Sequence, residues 1–129
     1  MQIKQIFLID DDVDDQELFL SALEKVDLSY ACKVACNGQD ALGKLTTNEV
    51  SPHIIFLDLN MPLMNGQQFL EIIQQEEQYK DIPVIIFTTT SNPRTVHEVK
   101  QLGAKDLITK PNSFDELISV LRNVLTSYS

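Results

Sequence analysis

Short apolar runs alternate with amphipathic stretches along the whole chain. The clearest runs are residues 54–57 (IIFL) and 84–87 (VIIF), in which no polar residue interrupts the apolar ones. Strands of this kind are typical of a parallel sheet that helices cover on both faces. Three further strands are predicted at residues 6–9, around residues 31–36 and at residues 107–108.

Apolar residues at helical spacing follow each of these strands and predict five helices. We expect the inward-facing side chains to be Leu18, Phe19, Ala22 and Leu23; Ala41, Leu42 and Leu45; Phe69, Ile72 and Ile73; Val96, Val99 and Leu102; and Phe114, Leu117, Ile118, Leu121 and Leu125. Gly103 is predicted to end the fourth helix, and Ser113 with Glu116 to form a capping box for the fifth. The alternation predicts an α/β fold, a doubly wound five-stranded parallel sheet in one domain over residues 1–129.

Composition narrows the possible functions. Nineteen acidic residues against ten basic ones give a net charge of −9, which argues against a nucleic-acid binder because phosphate backbones are met by excess Lys and Arg. No apolar run approaches the roughly 20 residues that span a bilayer. The start of the chain leaves no room for a signal peptide, so we predict a cytoplasmic protein without a membrane segment.

The cysteines and histidines are predicted to have no redox or metal role. On one strand, the Cα atoms of Cys32 and Cys36 would lie about 13 Å apart, beyond disulfide reach. We therefore expect two free thiols in a reducing compartment. His53 and His97 lie at no predicted carboxyl end of a strand and form no metal-binding pair.

Charged and polar residues stand at the carboxyl ends of four predicted strands. Asp10 and Asp11 follow the first strand, Asp58 follows the third, Thr88 ends the fourth, and Lys110 follows the fifth. In an open parallel sheet these ends form the edge at which ligands bind. Grouped carboxylates need a cation, and Mg²⁺ fits a site with few carboxylates because it retains coordination for water and phosphate. With a lysine and a hydroxyl, the set indicates phosphoryl transfer to an aspartate.

Each of these residues taken alone also has an ordinary structural interpretation. Thr88 could be a plain β-branched strand residue, and Lys110 a solvated strand terminus. We interpret Asp12, Asp14 and Asp15 as acids that complement the N-terminus of the first helix rather than as metal ligands. The functional hypothesis depends on the combination of four strand ends at one edge.

With those residues placed, the sequence resembles the receiver domain of two-component response regulators. The matching stretches are residues 6–11 (IFLIDD), 55–66 (IFLDLNMPLMNG), 83–88 (PVIIFT) and 103–111 (GAKDLITKP), and together they span essentially the entire chain. The resemblance implies a flavodoxin-like (βα)5 fold with strand order 2-1-3-4-5.

The same resemblance implies a role for each strand-end residue. Asp58 falls on the phosphoacceptor position. Mg²⁺ would be bound by the carboxylates of Asp10, Asp11 and Asp58 and by the backbone carbonyl of Asn60, with Asp11 a direct ligand and Asp10 acting partly through water.

Thr88 falls on the hydroxyl that moves towards the phosphoryl group, and Lys110 on the family's ammonium position, with a cis peptide bond before Pro111. Many receivers carry an aromatic residue where this chain has Leu107, so the aromatic part of their switch is in doubt.

Nearby positions bear on how the site works in the family. Thr89 is bulkier than the alanine often found there and is expected to slow access to the site. Asn60 and Thr90 occupy positions that tune autodephosphorylation.

The resemblance also implies the partners. The donor would be a phosphohistidine on a sensor histidine kinase or a phosphotransfer protein. Output would pass through the fourth helix, fifth strand and fifth helix, where Val120 and Val124 are expected to lie off the core-facing stripe. Because the sequence stops after that helix, we expect a stand-alone domain that signals to another protein or passes the phosphoryl group along a phosphorelay. It would be no enzyme beyond catalysing its own phosphorylation and slow autodephosphorylation.

Three other interpretations are weighed against this one. An aspartate-nucleophile phosphatase would need a second aspartate two residues after the nucleophile, where this chain has Asn60. A flavodoxin-like cofactor binder would need a phosphate-binding loop after the first strand, where three aspartates would repel a phosphate. A pseudo-receiver that only binds partners would not need the acidic and basic residues that are all present.

Overall fold

The computed structural model describes residues 3–89 and 92–128, in which strands and helices alternate as predicted. The strands are β1 (Gln5–Ile9), β2 (Ala31–Ala35), β3 (Ile54–Leu57), β4 (Val84–Thr88) and β5 (Asp106–Thr109). The helices are α1 (Val13–Val26), α2 (Gly38–Thr46), α3 (Gly66–Gln74), α4 (Pro93–Gln101) and α5 (Phe114–Tyr128). No helix within residues 3–89 or 92–128 has both the length and the apolar character that crossing a membrane requires.

All paired strands run parallel, in the order β2-β1-β3-β4-β5. The implied strand order is therefore confirmed. At the carboxyl edge Ile9 pairs with Ala35 on one side and with Leu57 on the other, and Thr88 pairs with Thr109. The winding direction reverses between β1 and β3, so the residues that follow these two strands stand at the switch point where doubly wound folds bind ligands.

Both faces of the sheet are covered by helices. One face packs against α2, α3 and α4, and the other packs against α1 and α5. The first face buries Phe7, Ile9, Ile55, Leu57 and Ile86 together with Ala41, Leu45, Phe69, Leu70, Ile73 and Val99. The second buries Ile6, Leu8, Ile54, Phe56, Ile85 and Phe87 together with Phe19, Ala22, Leu23, Leu117, Leu121 and Leu125. This two-sided burial explains why β3 and β4 lack polar alternation.

Four predicted side-chain orientations are wrong. Leu18, Ile72 and Phe114 are exposed, although each was expected to face inward. Leu18 and Ile72 adjoin the buried Phe19 and Ile73 but point about 100° away from them around their helices. Phe114 is the first residue of α5, in which the buried stripe begins only at Leu117. Val124, expected off the core-facing stripe, is partly buried and packs against the core on the α1 and α5 face of the sheet.

The ends of the helices largely match the signals in the sequence. Gly103 follows α4 with φ +109°, the left-handed conformation that suits glycine after a helix. The Glu116 N–H donates to Ser113 Oγ at 3.1 Å, which is the first half of the predicted capping box. A complete box occurs instead at α3, where the side chains of Asn65 and Gln68 each accept a hydrogen bond from the other's backbone N–H.

The cysteines form no disulfide with each other, and His53 accepts hydrogen bonds within the fold. Both cysteines are free, as predicted, and burial raises the pKa of the Cys32 thiol to about 12, so this thiol stays protonated at neutral pH. Nδ1 of His53 accepts hydrogen bonds from the backbone N–H groups of Lys4 and Gln5, both at 3.1 Å. The imidazole therefore joins the start of β1 to the residues before β3.

Leu63 adopts a strained backbone conformation in the loop between β3 and α3. Its φ is +66°, which lies in a region that few residues other than glycine, asparagine and aspartate adopt. A tight turn holds Leu63 in this conformation, because the Met64 N–H donates to the Pro62 carbonyl at 2.8 Å. The side chain is 76% exposed, so its own packing does not offset the strain.

We therefore expect Leu63→Asn to raise the free energy of unfolding by about 1 kcal/mol, because asparagine tolerates the left-handed conformation and little buried area is lost. Urea titration measures the change. Leu28→Asn is the matched control, since Leu28 is 82% exposed and has no positive φ. Equal changes for the two substitutions would show that strain at Leu63 is not the cause.

Candidate functional site

The residues that follow the strands lie together at the carboxyl edge of the sheet. Asp10 comes directly after β1, Asp58 directly after β3 and Lys110 directly after β5, while Thr88 is the last residue of β4. Asp10, Asp58 and Thr88 are buried, with 1%, 7% and 0% of their surface exposed. Polar groups at this degree of burial need hydrogen bonds or ion pairs, and these interactions determine much of the geometry of the site.

The ammonium group of Lys110 joins three carboxylates. Its Nζ lies 2.8 Å from Oδ2 of Asp10, 2.8 Å from Oδ2 of Asp15 and 3.5 Å from Oδ2 of Asp58. The lysine side chain is 11% exposed, so water screens these ion pairs weakly. The Lys110 N–H also donates to the Thr88 carbonyl at 2.7 Å, which fixes where its side chain starts.

Burial and hydrogen bonding oppose each other at this ion pair. Burial raises the pKa of the Asp10 carboxyl above its usual value, although the hydrogen bonds from Lys110 and from the Asp12 N–H act in the opposite direction. For Lys110 burial alone would lower the pKa, but the hydrogen bonds to Asp10 and Asp15 outweigh it, and the pKa is raised. The lysine is therefore held in its charged form.

Asp10, Asp11 and Asp58 form a cluster that fits a hard divalent cation. One carboxylate oxygen from each lies within 4.8 Å of the others. Asp12 N–H donates to Oδ1 of Asp10 at 3.0 Å, and Leu59 N–H donates to Oδ1 of Asp58 at 2.8 Å, so two of the carboxylates are oriented by backbone groups. Asp11 is exposed and opens the cluster to solvent. Oxygen donors with an open side are the kind of site that Mg²⁺ and Mn²⁺ use.

The Thr88 hydroxyl is fully buried and has no hydrogen-bond partner within the part of the chain that the structure describes. A buried hydroxyl without a partner carries a desolvation cost, which a hydrogen bond to a bound group would remove. Thr88 thus retains an unused donor at the site edge.

The loop after Asp58 requires a glycine. A Cβ at Gly66 would collide with the Asp58 carbonyl oxygen and would lie 2.9 Å from Cα of Leu59. The Gly66 N–H donates to the Leu59 carbonyl at 3.0 Å, which closes this loop over the start of α3. Asn60 lies within the loop with an exposed side chain, and the metal-binding role predicted for its carbonyl stays a prediction.

Asp15 is a site residue that the sequence analysis missed. The sequence analysis interprets it, with Asp12 and Asp14, only as an acid that complements the N-terminus of the first helix, and it does lie in the first turn of α1. Asp12 does have that role, because its Oδ1 accepts the Asp15 N–H at 3.0 Å. The Asp15 side chain instead reaches Lys110. Nothing in the local spacing distinguishes Asp15 from Asp14, since only the folded chain brings the end of β5 next to α1.

Two details of the implied switch region can be compared with the structure. The peptide bond before Pro111 is trans, so the cis bond that the resemblance implied is wrong. Trans is the form that X–Pro bonds favour by about 0.5–1 kcal/mol, and in this form Lys110 already reaches its carboxylates. Leu107 is half-buried against the α2, α3 and α4 face of the sheet. Thr90 lies outside the described residues.

Comparisons with known proteins agree with this geometry. The family model of the response regulator receiver domain matches residues 6–122. A protein-glutamate methylesterase/protein-glutamine glutaminase of Treponema pallidum is 43% identical over 106 residues, which cover 77% of this chain and 25% of that protein. The chain spans between 8% and 52% of the length of the eight curated relatives compared, so their activities as whole proteins concern other regions as well.

Solved structures share the fold over nearly the whole chain. The phosphorylated cyanobacterial phytochrome response regulator RcpA superposes with a TM-score of 0.89 at 26% identity, over 98% of this chain and 94% of that one. The Mn²⁺-bound form of response regulator Rcp1 superposes with a TM-score of 0.84 at 27% identity, over 94% of this chain and 91% of that one.

Removing the lysine should destabilise the fold. We expect Lys110→Met to lower the free energy of unfolding by about 2–3 kcal/mol, because Asp10 would be left buried without its counter-charge. Lys44→Met is the control: Lys44 pairs with Asp40 at 3.2 Å, but both side chains are about one-third exposed, and a loss below about 1 kcal/mol is expected. Similar losses in chemical denaturation would contradict the special role of the Lys110 cluster.

Proposed function

The chain belongs to the response regulator receiver domain family, and from this premise we propose that it accepts a phosphoryl group on the carboxylate of Asp58. One observation carries the proposal: a buried aspartate at the switch point of the sheet lies 3.5 Å from a lysine ammonium and beside two further carboxylates. This set supplies a nucleophile, a counter-charge and a place for a cation, which phosphoryl transfer to an aspartate requires.

The transfer is a displacement at phosphorus. A carboxylate oxygen of Asp58 attacks the phosphorus of a phosphohistidine in line, the P–O bond forms, and the P–N bond breaks. The electron pair of that bond returns to the imidazole nitrogen, which takes up a proton from solvent. The hydrogen bond from the Leu59 N–H to Oδ1 of Asp58 restricts rotation of the carboxylate and so orients it for attack.

Lys110 and Thr88 would bind the oxygens of the new phosphoryl group. Lys110 neutralises part of their charge, and its ammonium is already at the site before the group arrives. The Thr88 hydroxyl, buried without a partner in the described chain, can donate to one of the oxygens. Preorganised donors of this kind need little rearrangement when charge develops.

We propose Mg²⁺ as the cation, held by the carboxylates of Asp10, Asp11 and Asp58 and by the carbonyl of Asn60. When bound, it would neutralise charge on the carboxylates and on the phosphoryl oxygens. The clustered oxygen donors support this choice, and the Mn²⁺-bound form of the similar Rcp1 supports a divalent ion in this fold.

We propose that a sensor histidine kinase or a phosphotransfer protein in the cytoplasm supplies the phosphoryl group. The hydrogen bond from the Lys110 N–H to the Thr88 carbonyl couples the ends of β4 and β5, so a pull on either residue acts on both. The surface of α4, β5 and α5, on which Val120 is half-buried, would then change its affinity for a downstream protein by shifting a pre-existing equilibrium. A carrier role in a phosphorelay uses the same site.

Phosphorylation of Asp58 can be tested directly. Incubation with acetyl phosphate or phosphoramidate and Mg²⁺ should give one phosphoryl adduct by intact-mass analysis, stable in acid and labile in base. Asp58→Asn should give none. Asp81→Asn should behave like wild type, because Asp81 is exposed and precedes the amino end of β4, whereas Asp58 follows the carboxyl end of β3. An adduct that persists in Asp58→Asn would refute the assignment.

Mg²⁺ should stabilise the folded protein. At ten times the dissociation constant, binding to the folded state alone adds about 1.4 kcal/mol, which corresponds to a rise of about 5 °C in melting temperature for a chain of this size. Asp11→Asn should fold normally, because Asp11 is exposed, yet lose most of this rise. If millimolar Mg²⁺ leaves the melting temperature of the wild type unchanged, that result would count against the metal site.

A further inference from the structure

We propose that Asp15 is a positioning residue that holds the Lys110 ammonium towards α1 and competes with the phosphoryl group for it. The inference rests on the proposed function, since it concerns the same lysine. Nζ of Lys110 lies 2.8 Å from Oδ2 of Asp15 but 3.5 Å from Oδ2 of Asp58, so in the unphosphorylated protein the lysine is bonded more closely to Asp15 than to the acceptor.

Asp15 is held by a helix, whereas the other two carboxylates that contact Lys110 follow strands. It lies in the first turn of α1, where its N–H donates to Oδ1 of Asp12 at 3.0 Å. The other carboxylates in contact with Lys110 follow β1 and β3 directly, so they move with the sheet edge. Asp15 therefore ties the lysine to the helix rather than to the sheet.

Asp15 also lies outside the carboxylate cluster that fits a cation, which consists of Asp10, Asp11 and Asp58. A cation bound to that cluster would offset the charge of Asp10 and Asp58. The charge of Asp15 would stay available to Lys110. A phosphoryl group on Asp58 must then share the ammonium with Asp15 or draw it away, and either costs free energy.

Removing the charge of Asp15 should not release the lysine. The ammonium would keep its hydrogen bond to Asp10 at 2.8 Å and its contact with Asp58 at 3.5 Å. Asp15→Asn therefore removes a competitor and lowers the negative potential at the site while leaving Lys110 in place. An anion that mimics the phosphoryl group should bind more tightly.

The test is a titration with beryllofluoride at saturating Mg²⁺, followed by fluorine NMR. We expect Asp15→Asn to bind about three- to tenfold more tightly than wild type, the range for a partly exposed ion pair near a charged ligand. Asp15→Glu, which keeps the charge, should stay close to wild type. Asp14→Asn is the matched control, because Asp14 is an exposed acid in the same helical turn.

A second measurement separates positioning from loosened structure. The Mg²⁺ affinity of Asp15→Asn, measured without beryllofluoride, should stay the same or fall, because a negative charge is lost. The two ligands would then respond differently, whereas a loosened site would weaken both. If Asp15→Asn folds poorly, Asp15→Ser removes the same charge and must show the same gain.

Unchanged or weaker beryllofluoride binding by the charge-removing variants would overturn the role of Asp15, and so would an equal gain in Asp14→Asn. Failure of the wild type to bind beryllofluoride would instead overturn the proposed phosphorylation of Asp58, and the competition with it.

Discussion

The contact of one lysine ammonium with three carboxylates sets the arrangement of the whole site. Lys110 follows β5, Asp10 follows β1, Asp58 follows β3, and Asp15 lies in the first turn of α1, so the ion pairs join three strand ends and a helix. Carboxylates gathered at one edge repel each other unless positive charge stands among them. The buried ammonium of Lys110 supplies positive charge among three of them.

The architecture was predictable because its signals are local. The uninterrupted apolar runs of β3 and β4 require helices on both faces, and a parallel sheet with alternating helices leaves few possible topologies. The orientation of side chains on the helices was less accessible. Leu18 and Phe19 are both apolar and adjacent, and the sequence does not say which of them faces the sheet. Contacts of α1 with α5 and the sheet decide that, and they bury Phe19.

The convergence of Asp10, Asp58 and Lys110 followed from topology alone, because parallel strands end at one edge. The ion pair of Lys110 with a residue of α1 could not be predicted from topology. Asp14 and Asp15 are chemically equal in sequence, and both suit the N-terminus of a helix. Which of them reaches Lys110 depends on how α1 is rotated against the sheet. That rotation is set by the packing of Phe19, Ala22 and Leu23 against the sheet and α5. The missing partner of the Thr88 hydroxyl is likewise a property of the folded surroundings only.

Two buried polar groups, the Asp10 carboxyl and the Thr88 hydroxyl, are the costly parts of this site. Asp10 is buried with its pKa raised by desolvation, and Thr88 has a hydroxyl without a partner in the described chain. Both conditions cost free energy, and under the proposed function a cation and an anionic group at Asp58 would relieve both. Because the backbone of Lys110 is bonded to Thr88, that relief acts on the ends of two strands at once. Under the proposed function, a group bound at Asp58 would thereby bias the ends of β4 and β5 together, which is the differential interaction that a population shift requires.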